Sequence, residues 1–183
     1  MKVYELITVI LGVGFLGWVA FGAVFESSIE SPTYRPIVSP KGVEIREYDR
    51  ISVVAVQDVN QSGSFRKLFN YISGNNNQQK KIPMTAPVIQ DNGVMMFVLP
   101  ENLTDIPTPS NPGVRVDTIA SLRVGVHAFN GGVGKANEIK QRFEDSLHKN
   151  GIKTTTRWFL CQYNSPWVFP AFRKNEIWIE VLP

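Results

Sequence analysis

The same order of predicted elements occurs twice along the chain, and this repetition limits the fold more than any other sequence feature. The first half opens with VEIREYDRISVVAVQDV, Val43 to Val59, whose alternation predicts one long or broken strand. SFRKLFNYISG then predicts a short amphipathic helix that Ser64 caps and Gly74 ends. KIPMTAPVIQ can form only an edge or irregular strand because proline has no amide hydrogen, and VMMFVLP follows as a regular strand.

The second half repeats this order of strand, helix, strand and strand. VRVDTIASLRVGVHAF predicts a strand, KANEIKQRFEDSLHKNG a helix with one apolar face, and TRWFLCQYNSP and EIWIEVLP two more strands. The halves even end alike, in VMMFVLP and IWIEVLP. We therefore predict an α+β fold in which two duplicated β-α-β-β units form a strongly curved antiparallel sheet with two helices packed on it.

An uncharged apolar segment, Leu6 to Phe25, precedes the repeated part. Its length matches the ~30 Å hydrocarbon core of a bilayer, which predicts a transmembrane helix. We expect residues 1–25 to be a membrane anchor, 26–40 a linker and 41–183 the folded domain. A cleavable signal peptide is the alternative, because Ala20 to Gly22 offers small residues for a peptidase. A short tail before a single anchor favours an extracytoplasmic domain.

Charge and composition exclude several classes of protein. The net charge of +3 is spread along the chain without a basic run, so we expect no nucleic-acid partner. The spacing Gly12-x-Gly14-x-x-Gly17 resembles a dinucleotide fingerprint, but an apolar continuation replaces the required strand and acidic residue. The lone Cys161 excludes an intramolecular disulfide. Motifs of hydrolases and zinc proteases are absent from the sequence, so we expect a binding protein rather than an enzyme.

Four segments of the chain resemble the SOUL haem-binding proteins: VEIREYD, SFRKLFNYISGNN, KIPMTAPV and NEIWIEV. The resemblance covers Val43 to Val181, and KIPMTAPV after a short helix and an Asn-rich loop is its most specific part. It implies a distorted eight-stranded barrel or curved sheet with two helices. It also implies that haem or a related tetrapyrrole binds in an apolar cleft near the first helix.

A tetrapyrrole site needs an apolar face for the ring and cations for the propionates. The candidates, given the resemblance, are Phe65, Leu68, Phe69, Ile72, Lys81, Met84 and Arg173. Each also has an ordinary interpretation, since an apolar stripe at helical spacing is usually core and single cations are usually solvated. His127 points away from the face that Val126 occupies and His148 ends a helix, so axial histidine ligation is not expected and the metal ligand stays open.

The expected function is therefore that of a membrane-tethered haem or tetrapyrrole binder that buffers or transfers its ligand without catalysis. The alternative is a module of the same fold that binds small hydrophobic effectors without preferring haem. An enzyme that modifies the bound tetrapyrrole would need a proton donor and a metal-handling group, and the sequence offers no position for either.

Overall fold

One antiparallel sheet contains all nine strands of the described residues, which are 29–37, 42–57, 60–165 and 168–183 of the computed structural model. The strands are β1 (Arg35–Ile37), β2 (Glu44–Tyr48), β3 (Ile51–Gln57), β4 (Val88–Asp91), β5 (Val94–Val98), β6 (Val114–Ile119), β7 (Leu122–Asn130), β8 (Thr154–Gln162) and β9 (Lys174–Val181). The helices are α1 (Gln61–Ile72) and α2 (Ala136–Lys149), and 3₁₀ turns occur at Val133–Lys135 and Pro170–Phe172. The predicted curved antiparallel sheet with two helices is confirmed.

The strand order is symmetrical. Across the sheet it runs β1-β2-β7-β9-β8-β4-β5-β3-β6. Exchanging β2 to β5 with β6 to β9 gives the same order of these eight strands, read in reverse. Each half supplies strands to both sides of the sheet, since β2 pairs with β7 and β3 pairs with β6.

The long opening stretch of each half is broken into two strands that lie far apart in the sheet. Tyr48, the last residue of β2, pairs with Leu122 of β7, whereas Ile51, the first residue of β3, pairs with Ile119 of β6. The exposed pair Asp49 and Arg50 forms the corner between them. Each unit is therefore strand-strand-helix-strand-strand rather than β-α-β-β. The sheet has edges at β1 and β6, so it is an open nine-stranded half-barrel and not a closed eight-stranded barrel.

Residues 29–37, within the expected linker, contribute the extra strand β1. Its three residues pair with Glu47, Arg46 and Ile45 of β2. Pro36 lies in this strand, and an edge position tolerates it because no further strand needs its missing amide hydrogen. The sheet therefore begins before residue 41.

The two faces of the sheet carry separate cores. In β3, Val53 and Ala55 point to the inner face, whereas Val54 and Val56 point to the outer face, where the helices lie. Helix α1 covers β3 and β5 through Leu68 and Ile72, and α2 covers β8 and β9 through Phe143 and Leu147. The helices thus leave the inner face to pack against its own side chains, among them Tyr48, Phe159, Cys161 and Trp178.

Helix α1 begins one turn earlier than the sequence pattern predicts. Asn60, not Ser64, is its N-cap, and the Asn60 side chain accepts hydrogen bonds from the amides of Ser62 (3.1 Å) and Gly63 (3.3 Å). Ser64 is buried and its hydroxyl donates to the Asn60 carbonyl at 3.1 Å. The predicted end is confirmed, because Gly74 follows the C-cap with φ +111°, a conformation that glycine adopts without strain.

The expected membrane anchor, residues 1–25, lies outside the described residues. In the described ranges, no helix has both the length and the apolar character needed to cross a bilayer.

Candidate functional site

The exposed edge of α1 presents two aromatic rings. Phe65 and Phe69 are four residues apart on one side of the helix, and their rings stack with centroids 6.2 Å apart and planes 11° from parallel. Phe65 also packs edge-on against Phe97 of β5 at 5.1 Å, which fixes the pair on the sheet. Phe69 nevertheless remains 49% exposed. The rings form a small apolar platform, which we call the α1 platform.

The other two residues of the predicted stripe belong to the core. Leu68 is fully buried and Ile72 nearly so, both against the outer face of the sheet. The structure therefore divides the four candidates on α1: Leu68 and Ile72 hold the helix down, and Phe65 and Phe69 face outward or sideways. A ligand on this face would contact only the second pair.

A buried asparagine fixes the chain that leaves α1. Asn76 donates to the carbonyls of Tyr71 (3.1 Å) and Lys80 (2.8 Å) and accepts from the amides of Gln78 and Lys80. The Ile82 amide then donates to the Ile72 carbonyl at 2.8 Å. The polar loop after α1 is thus an ordered turn that returns the chain to the C-terminal end of the helix, where Lys81 lies.

Lys81 and Met84 both lie on this returning segment. The Lys81 side chain is exposed, and no acidic group of the described residues pairs with it. Met84 is half-buried and packs on the core beneath α1. The structure therefore places Lys81 about one helical turn beyond Phe69 and makes Met84 part of the floor below the helix.

Arg173 lies on the connection between β8 and β9. Its Nε donates to the Val168 carbonyl at 3.0 Å, and its own carbonyl accepts from the Gly131 amide at 2.9 Å. The residue thus holds its own loop together. Phe169 and Phe172 of this loop are exposed, with ring centroids 5.7 Å apart.

The possible iron donors of the described residues do not converge. His127 packs on Phe143 of α2 with ring centroids 5.2 Å apart, and His148 Nε2 lies 2.9 Å from the Thr154 hydroxyl. Cys161 is fully buried on the inner face, and burial raises the pKa of its thiol well above the usual value. No three His, Cys, Asp or Glu side chains of the described part of the chain come together as metal ligands. Both histidines lie on the α2 half, so Met84 is the donor nearest the α1 platform.

A charged cluster, which sequence reasoning missed, lies on the inner face of the sheet. The carboxylate of Glu176 is 1% exposed and accepts hydrogen bonds from Arg46 (2.9 and 3.2 Å), from the Tyr163 hydroxyl (2.6 Å) and from Trp178 Nε1 (2.8 Å). Arg46 also donates to Glu44 at 2.6 Å. We call Arg46, Glu176, Tyr163 and Trp178 the inner cluster.

Ionisation of the inner cluster is fixed by its mutual bonds. Burial alone would raise the pKa of Glu176, but the bonds from Arg46, Tyr163 and Trp178 outweigh it and hold this pKa below its usual value. Burial would likewise lower the pKa of Arg46, but the bonds to Glu176 and Glu44 raise it. Burial first, and then the neighbouring Cys161 and Glu176, raise the pKa of Tyr163. The cluster therefore contains a permanent ion pair and no group poised to exchange a proton near neutral pH.

One signal in the sequence points to this cluster. In KNEIWIEV of β9, Glu176 and Trp178 are two residues apart and so share a face of the strand. The residues around them are apolar and buried, which means that the carboxylate must have a partner inside the fold. The partner itself, Arg46, cannot be read from the sequence because it lies 130 residues away.

Comparisons with known proteins place this fold and these segments in one family. The family described as SOUL heme-binding protein matches residues 29–180, which begin before β1 and end within β9. Human heme-binding protein 2 is 28% identical over 161 residues, which span 76% of this chain and 78% of that protein. The mouse heme-binding protein 2 is 28% identical over 180 residues, or 84% of this chain and 87% of that one.

A solved structure shares the fold alone. The C-terminal domain of EcmrR superposes with a TM-score of 0.55 and 14% identity, over 81% of this chain and 98% of that domain. The family match is much broader evidence, since it covers every strand of the sheet and both helices. The chain therefore belongs to the SOUL heme-binding protein family.

Proposed function

We propose that the protein binds haem or a related tetrapyrrole on the α1 platform and does so without catalysis. The observation that carries this proposal is the stacked, half-exposed pair Phe65 and Phe69 beside cations that have no acidic partner in the described residues. An exposed aromatic surface of this kind favours a flat apolar ligand over water. Both the family and the relatives named for haem binding support the same ligand class.

The residues present fit the ring and the propionates of such a ligand. The Phe65 and Phe69 rings offer planar contact, and Met84 gives a soft, polarizable floor beneath α1. Lys81 beyond the end of α1, and Arg66 three residues before Phe69, supply the cations for charge-assisted bonds to carboxylates. Bound haem would supply its iron, while the protein's residues would bind, orient and partly shield the ring.

The donor set favours contact through the ring over strong iron ligation. Met84 is a weak ligand and is half-buried in packing, whereas both histidines lie on the other helix. Protoporphyrin without iron should therefore bind nearly as well as haemin. This property separates the proposed site from one that depends on a proximal histidine.

Titration of the full chain in detergent with haemin and with protoporphyrin, followed by absorbance in the Soret region, tests the proposal. We expect saturation near one equivalent, and a three- to tenfold weaker affinity in Phe69→Ala because a ligand-ring contact is lost. Tyr34→Ala, which removes an equally exposed aromatic ring elsewhere, should leave the affinity unchanged, as should His127→Ala and His148→Ala. Equal affinity in Phe69→Ala and the parent chain would overturn the α1 platform, and no saturable binding would overturn the haem proposal altogether.

We propose further that residues 1–25 tether the domain to a membrane, with the domain outside the cytoplasm. The support is the uncharged apolar length of Leu6 to Phe25. Membrane fractions washed at alkaline pH should keep the full chain and release a chain that starts at residue 29. Protease added to intact cells or spheroplasts should then digest an extracytoplasmic domain, whereas a protected domain would reverse the orientation.

A module for small hydrophobic effectors is the second candidate. The observation that favours it is the inner cluster, whose buried aromatic and charged groups lie on the face opposite the α1 platform. Under this alternative, apolar dyes of different shapes would bind with no preference for haemin.

A further inference from the structure

Residues 29–37 cross the inner face of the half-barrel like a strap, and we call them the strap. At one end, the Glu30 carbonyl accepts from the Ala86 amide at 2.8 Å, and the Glu30 carboxylate accepts from the Glu101 amide at 2.8 Å. At the other end, β1 pairs with β2. Ala86 precedes β4 and Glu101 follows β5, whereas β2 is on the opposite side of the sheet. The strap therefore bridges the opening between the two sides.

An aromatic ring of the strap seals the inner cluster. The Arg46 guanidinium lies 4.6 Å from the centroid of the Tyr34 ring, and Tyr34 also packs on Tyr48 with centroids 5.6 Å apart. Tyr48 in turn stacks on Trp178 at 4.8 Å with planes 25° apart. Tyr34 is 43% exposed, whereas the two rings below it are buried. Tyr34 is thus the outermost member of a stack whose inner members are fixed.

The edges of the Arg46 guanidinium are already used. Two of its nitrogens bond Glu176 and the third bonds Glu44, so only the flat face is left for another group. A guanidinium face attracts the π-face of an aromatic ring. Because the charge of Arg46 is balanced by these two carboxylates, a neutral ring is favoured in this seat over a charged one.

The contacts that hold the strap are weak compared with the seat beneath it. Thr33 donates from its amide and hydroxyl to the Glu101 carboxylate at 2.7 and 2.8 Å, but both residues are exposed. The Arg35 ion pairs with Glu47 and Asp49 are also exposed, and such pairs contribute little. A cavity of about 100 Å³ beside Tyr34 adds space next to the ring.

We propose that the seat on Arg46 and Tyr48 is a second ligand site, for neutral planar aromatic molecules of one or two rings, and that Tyr34 occupies it when the strap is closed. A ligand displaces Tyr34 and lifts the strap. The apparent affinity then falls in proportion to the fraction of molecules whose strap is open. This site lies on the inner face and is independent of the α1 platform.

Titration of the full chain with 2-naphthol, observed by NMR and by hydrogen exchange, tests the proposal. We expect the Arg46 Nε–H resonance to shift and exchange to rise in residues 29–37 and at Ala86. Glu101→Ala, which removes the strap's contact with Thr33, should bind about threefold more tightly, and Tyr34→Ala at least tenfold more tightly. Phe69→Ala should bind 2-naphthol as the parent does.

Opposite results would be equally clear. Equal affinities in the parent, Glu101→Ala and Tyr34→Ala would overturn the site, as would binding that leaves exchange in residues 29–37 unchanged. Loss of 2-naphthol binding in Phe69→Ala would assign the probe to the α1 platform instead. Haemin binding is measured in the same variants, so the haem proposal can fail without affecting this one.

Discussion

Arg46 and Glu176 are 130 residues apart in the chain, yet they form a two-pronged ion pair of 2.9 and 3.2 Å on the inner face of the sheet. The Arg46 side chain is 9% exposed and that of Glu176 only 1%. Charges buried to this degree must stay paired, because an isolated one would carry most of its lost hydration energy.

Breaking this pair should destabilise the fold strongly. We expect Arg46→Met to lower the free energy of unfolding by about 3–5 kcal/mol, because it leaves a buried carboxylate without its counter-charge. Arg142→Met is the matched control, since its pair with Glu138 is exposed and should contribute less than about 1 kcal/mol. Urea unfolding followed by circular dichroism measures both. Similar losses in the two variants would show that the buried pair has no special weight.

Acid should weaken the protein partly through Glu176. Its folded pKa lies below the usual 4.5, so its ionised form stabilises the fold above that pH, and the contribution is lost as the pH falls through the folded pKa. We expect the parent to lose stability between about pH 5 and 3 more steeply than Glu176→Gln does. Urea midpoints at several pH values give the two slopes. Parallel slopes would contradict the lowered pKa.

Gly125 of β7 lies directly beneath α2 and should not tolerate a side chain. A Cβ atom there would lie 3.1 Å and 3.3 Å from the Leu147 methyls and 3.4 Å from Phe143 Cζ. We expect Gly125→Ala to cost about 1–3 kcal/mol through overpacking. Gly132→Ala is the control, because a Cβ at that position meets nothing within 4 Å. Thermal melts should therefore separate the two variants, and equal melting temperatures would contradict the close approach.

Asn60 should matter for α1 more than Ser64 does as a cap. Asn60→Ala removes the acceptor for the Ser62 and Gly63 amides, and we expect a loss of about 1 kcal/mol. Asn60→Asp keeps an acceptor at the same position and should be close to neutral. Amide exchange in the first turn of α1 should rise in the alanine variant only. Unchanged exchange there would show that the backbone alone fixes the start of the helix.

Local patterns in the sequence predict the elements but not their partners. The spacing of Phe65, Leu68 and Ile72 predicts α1 because one helix face must be apolar wherever the helix packs. Nothing local distinguishes a long strand from two strands at Asp49, since the alternation continues on both sides. The break follows from pairing with β7 and β6, whose residues are about seventy positions away.

The candidate site shows the same division. Helical spacing identifies the apolar stripe of α1, but only the packing on Phe97 shows that Phe65 and Phe69 form its outward edge. Asn76 looks like an ordinary loop residue in the sequence, yet it is buried and organises the chain that positions Lys81. Arg46 lies in an alternating strand where most charged residues are solvated, so its ion pair depends on the complete sheet.

The interleaved strand order has a consequence for synthesis of the protein. Strand β9, residues 174–181, is made last but lies in the interior of the sheet, between β7 and β8. A growing chain therefore exposes the edges of both strands, together with the inner core they should cover, until its final residues leave the ribosome. The N-terminal half cannot complete its fold earlier, because β2 and β3 both await partners from the second half. Folding is thus a single late event for the whole domain, and the nascent chain depends on chaperones up to the end of translation.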